Sequence, residues 1–87
     1  MTTKPASSVK PSLEKTLEKI AYASVADIPT LEPHDQDRLG FNVWRWLMYR
    51  RDPLEVAVKS AGARLTISEG EAVEKIHASL RMQGIEL

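Results

Sequence analysis

The sequence predicts an all-α fold, a small four-helix domain spanning residues 12–87 behind a flexible N-terminal arm, residues 1–11. Three observations predict it. Apolar residues recur at three- and four-residue spacing in four segments, those segments are bounded by helix-starting and helix-stopping residues, and no segment alternates as a strand would. The chain of 87 residues, 43% hydrophobic and 28% charged, is globular in composition and too short for a catalytic domain plus a regulatory one. A domain of this size buries only about 60% of its extended surface, so its stability is expected to be marginal.

The arm, Met1 to Pro11, has no apolar run and is rich in Thr, Ser and Pro. Helix one is expected over residues 12–24, with Leu13, Leu17, Ile20 and Ala21 on its inner side and Glu14, Lys15, Glu18 and Lys19 opposite. Its like-charge pairs Glu14–Glu18 and Lys15–Lys19 weaken it in isolation, so tertiary contacts must hold it. Pro29 and Pro33 forbid a regular helix from Ser24 to His34, while Val25, Ile28 and Leu31 are placed to tack this connector onto a core.

The longest apolar element is expected over residues 35–51, capped by His34 or Asp35, with Asp37 favoured in its first turn. Leu39, Val43, Trp46 and Leu47 mark one face; Phe41, Trp44 and Met48 form a second stripe. A helix apolar around most of its circumference must be central or shared with another subunit. Asp52-Pro53-Leu54-Glu55 then combines an Asp cap, Pro at the first helical position and Glu three residues after the cap. Leu54, Ala57, Val58, Ala61 and Leu65 follow on one face. Ser68 and Glu71 form a second such box, Ala72, Val73, Ile76 and Leu80 an inward stripe, and Gly84 a stop. Only Leu65 to Ser68 are then left between the last two helices, which requires a sharp corner near Thr66.

Composition narrows function by exclusion. The chain has no cysteine, which removes disulfides, thiolate chemistry and cysteine-based zinc sites. Its twelve Lys plus Arg balance twelve Asp plus Glu, so no net field draws it to nucleic acid or an anionic membrane. His34 and His77 are too far apart for a local metal motif, the serines lack a nucleophile-elbow context, and the four glycines are scattered rather than gathered into a phosphate loop. His34 with Asp35 and Asp37 reads as helix-start chemistry rather than a catalytic cluster. The expectation is a non-enzymatic protein without cofactor or metal. With no apolar run long enough to span a bilayer and no apolar N-terminal leader, it is also expected to be cytoplasmic.

The stretch from Ala61 to Gly84 carries a more specific pattern. Ala61 and Leu65 close one helix, Ile67 plugs the turn, Ser68 caps the next, and Val73, Ile76 and Leu80 are its inward anchors. This arrangement resembles the helix-turn-helix of LuxR/NarL-type regulators, although one extra residue near Glu71 and Ala72 is needed to bring Val73 and Ile76 into register. The resemblance implies a small, repressor-like DNA-binding regulator of transcription, with residues 53–84 as the helix-turn-helix. Thr66, Ser68, Glu71, Lys75, His77 and Arg81 would then lie near the groove and Lys59 and Arg64 on phosphates. Two features of the residues themselves pull the other way. Glu69, Glu71 and Glu74 make the start of that helix acidic, and the basic surplus lies in residues 1–51.

Arg45, Arg50 and Arg51 could add to a phosphate patch with Lys59 and Arg64, or shield Trp44, Trp46 and Tyr49 by cation–π contact. The alternative function is a helical protein-interaction module, an adaptor or inhibitor docking through Phe41, Trp44, Trp46 and Met48. Trp44 and Trp46 diverge by about 200° on a helix, so one of them is expected to meet a partner, most economically a second copy in a homodimer.

Overall fold

The computed structural model describes the backbone of residues 4–86 and the side chains of residues 13–86. The chain is all-α, with four helices: α1 Lys4–Ser24, α2 Pro33–Tyr49, α3 Leu54–Ser60 and α4 Glu69–Met82. They close a ring, in which α1 packs on α2 and α4, and α3 packs on the same two. The core at the centre combines Ala21 and the connector residues Val25 and Ile28 with Leu39, Val43 and Leu47 of α2, Leu54 and Val58 of α3, and Ala72, Val73, Ile76 and Leu80 of α4.

α1 begins well before residue 12, at Lys4, so the backbone of Lys4 to Pro11 continues the helix expected to follow it. Met1 to Thr3, the rest of the expected arm, lie outside the described residues. Leu13 is exposed, and α1 joins the core further along, at Leu17, Ile20 and Ala21. The crossing is close at Gly40, where a Cβ would lie 2.6 Å from the Tyr22 ring. Any side chain there would have to displace the Tyr22 ring, although an exposed mid-helix glycine would only lower helix stability. Burial at this crossing, reinforced by Asp37 and Glu18, raises the Tyr22 phenol above its ordinary value of 10.0.

Sequence signals locate the connector well and its caps less well. Val25 and Ile28 are buried as expected, whereas Leu31 points out. The N-cap of α2 is Glu32, in extended conformation, with Pro33 as the first helical residue, so neither His34 nor Asp35 caps it. Proline needs no hydrogen bond at that position, and this shifts the start two residues earlier. The carboxamide of Gln36 instead donates to the carbonyls of Val25, Ala26 and Ile28, gathering the turn that follows α1. α3 likewise starts one residue late: Pro53 is the N-cap and makes no side-chain cap bond, so the box read at Asp52 does not form.

The corner before α4 departs most from expectation. Gly62 adopts φ +66, which ends α3 early, and residues 61–68 separate the two helices. The Leu31 N–H donates to the Arg64 carbonyl and the Thr66 N–H to the Pro29 carbonyl, so Leu65 forms an isolated antiparallel bridge with Thr30 rather than a last helical turn. α4 itself matches its signals at both ends. Ser68 Oγ accepts from the Glu71 N–H at 3.1 Å. At the other end Gly84, at φ +91, donates to Arg81, and Ile85 to Leu80, the paired closing bonds of a glycine stop.

Candidate functional site

An open groove of about 580 Å³ lies between α2 and α3. It exists because the helices differ in length. α2 has 17 residues and α3 only 7, spans of about 25 and 10 Å at 1.5 Å per residue, so α3 cannot cover the second apolar stripe of α2. That stripe is where Phe41, Trp44 and Met48 stand, and all three line the groove together with Trp46. Tyr49 and Val56 complete its apolar rim and were not among the partner-facing residues expected from sequence. Their signal was available: Tyr49 continues the four-residue spacing from Phe41 through Arg45, and Val56 is the lone apolar residue on the side of α3 opposite Leu54 and Val58.

Three of the four aromatic rings of the groove, those of Phe41, Trp44 and Trp46, are braced by a neighbour. Phe41 and Trp44 lie 5.5 Å apart at a tilt of 55°. The Arg45 guanidinium stands 5.8 Å over Phe41 and that of Arg50 4.8 Å over Trp46. Arg50 is held there by an unusual backbone: it closes α2 at φ 50, and its guanidinium also donates to the Glu86 carbonyl. The two tryptophans point apart, as helical geometry requires, but elements of the same chain receive both. Trp44 Nε1 donates to the Glu14 carbonyl of α1 at 3.2 Å, and Trp46 Nε1 to the Asp52 carbonyl after α2. Both are half-buried, and the N–H of each indole finds its acceptor within the chain. Asn42 donates to the Ala57 carbonyl and pins α3 beside this floor.

The residues expected on DNA stand in different local settings. Arg64 stands 3.4 Å from Glu32 and 3.9 Å from Asp35, and His34 approaches the same two carboxylates. The Asp35 carboxylate is buried, its Oδ2 lacks a hydrogen bond, and Arg64 is the cation nearest to it. Lys59 shares a small cleft between α3 and the start of α4 with Glu55, Glu69 and Gly70. Thr66 and Ser68 are exposed, the latter with its hydroxyl engaged as the cap, and His77 is half-buried. Lys75 and Arg81 are exposed but six residues apart, about 120° around the helix. They flank the stripe of Glu71, Ala78 and Met82 rather than share it.

Among the described residues no cluster of three or more metal-ligating side chains occurs, and no helix is long and apolar enough to cross a membrane. No protein-family model, curated protein or solved structure matches the chain.

Proposed function

We propose that the chain is a non-enzymatic helical interaction module that docks another protein in the α2–α3 groove. The observation that carries this reading is the cluster of exposed apolar rim residues, Phe41, Tyr49 and Val56, around a floor of half-buried tryptophans. Solitary exposed apolar residues are ordinary, but a contiguous patch edged by polar groups marks an interaction surface. Its composition is also that of an interface centre, where Trp, Tyr, Phe, Met and Arg are enriched. The outer side of α4, by contrast, mixes Glu71 and Glu74 with Lys75 and Arg81 and offers duplex DNA no continuous basic surface.

A photo-crosslinking residue placed at Tyr49, and separately at Glu74, tests the reading inside cells. Adducts to one defined heterologous protein from position 49, and none from 74, are expected. Random-sequence duplex should not be retained at low salt. Salt-sensitive duplex binding that is lost on replacing Lys75 and Arg81 would overturn the docking module in favour of the DNA-binding regulator. Adducts only between identical chains would assign the groove to a homodimer.

A further inference from the structure

Resting on the docking reading, we infer that the groove's occupant is an acidic amphipathic segment of a partner protein, apolar anchors flanked by carboxylates. The charges around the groove carry the inference. Arg45 and Arg51 line it and Arg50 lies over its Trp46, against a single lining acid, Asp52. In a chain whose charges cancel overall, this is a local basic excess laid along an apolar strip.

Among the described residues these cations also lack carboxylate partners. Every ion pair among the described residues belongs to the distant group of Glu32, His34, Asp35 and Arg64. Arg45 stands over the face of Phe41, and among the described residues neither its side chain nor that of Arg51 makes a hydrogen bond or ion pair. Both side chains are exposed, so a carboxylate can reach the guanidinium fork without an existing pair being broken. A phosphate would satisfy the same fork, but single-stranded nucleic acid also needs open ring faces on which bases stack. One face of Phe41 and one of Trp46 are already covered by Arg45 and Arg50, which leaves fewer stacking platforms and favours a peptide carboxylate.

The test is a displayed library of random 16-residue peptides selected on the full chain, with enriched peptides measured against variants that keep the wild-type melting temperature. Enrichment of Asp and Glu around an apolar stripe is expected. Affinity should fall on the order of tenfold or more with Arg45→Glu/Arg51→Glu, and also with Phe41→Ala. Should the charge reversal prevent folding, Arg45→Gln/Arg51→Gln gives the same reading with a smaller loss. Neutral or basic peptides whose binding needs Phe41 but ignores the arginines would overturn the acidic partner and leave the docking groove standing. No peptide whose binding depends on Phe41 would overturn both. Displacement of enriched peptides by oligothymidylate would overturn the peptide assignment and give the groove to single-stranded nucleic acid.

Discussion

The outer side of α4 and the α2–α3 groove are both open to solvent, yet they are left open for different reasons. α4 has one apolar stripe, Ala72, Val73, Ile76 and Leu80, and its neighbours α1 and α3 cover all of it. What remains outside is mainly charged, with Met82 as its one large exposed apolar side chain. α2 has an equally well covered stripe in Leu39, Val43 and Leu47, and a second one that the short α3 cannot reach. The difference shows that helix length, as much as hydrophobic pattern, decides which apolar residues a small bundle leaves uncovered.

The comparison breaks first if the closed side proves expendable. Ile76 is fully buried in the core, and Ile76→Ala should lower unfolding free energy by about 2–5 kcal/mol, the range for large apolar groups removed from a core. In so small a domain that is a large share of the total, visible as partial unfolding in a urea titration. Gly40→Ala probes the α1–α2 crossing that sets α2 in place. Its methyl would meet the Tyr22 ring at 2.6 Å, so a loss of about 1–3 kcal/mol is expected in spite of alanine's better helix propensity. Pairing it with Tyr22→Ala should recover part of that loss.

Smaller effects sharpen the account of α4 and of the crossing. Ser68→Ala removes the acceptor of the Glu71 N–H and should cost about 1 kcal/mol, read from the same titration. The pH dependence of stability should carry the signature of Tyr22. Its phenol is raised above 10.0 by burial first, then by Asp37 and Glu18, so the folded chain holds that proton more tightly than the unfolded chain does. The resulting stabilisation is complete below pH 10.0 and is lost as pH climbs through the raised folded value. Tyr22→Phe removes the phenol and should flatten the alkaline decline relative to wild type.

Much of this was legible because helix signals are local. The inward stripe of α4, its Ser68 cap and its Gly84 stop depend on residues a few positions apart, and each stands as read. The failures arise where distant chain segments meet. Leu65 continues the spacing of Leu54, Val58 and Ala61, but pairing with Thr30 offers its backbone partners outside the helix, and no local pattern announces a bridge across that separation. Asp52 has the chemistry of a cap, yet its carbonyl accepts from Trp46 and the helix begins after Pro53. The four partner-facing residues read from α2 do share one groove, but sequence could not tell that both indole N–H groups would find acceptors within the chain.

The smallest stability change is expected on the groove rim, where binding is nonetheless weakened. Val56 sits 43% exposed on the groove rim, so Val56→Ala gives up little buried area, and alanine's better helix propensity offsets part of that loss. The net effect on unfolding should stay within about 0.5 kcal/mol. Affinity for a groove-bound peptide should nonetheless drop several-fold, because the methyl groups lost are covered only when the groove is filled. A residue whose removal spares the fold and weakens the complex is kept apolar by something other than folding. Were Val56→Ala instead to destabilise the chain as much as Ile76→Ala, the rim would belong to the core, and the contrast between an open α2 and a closed α4 would disappear.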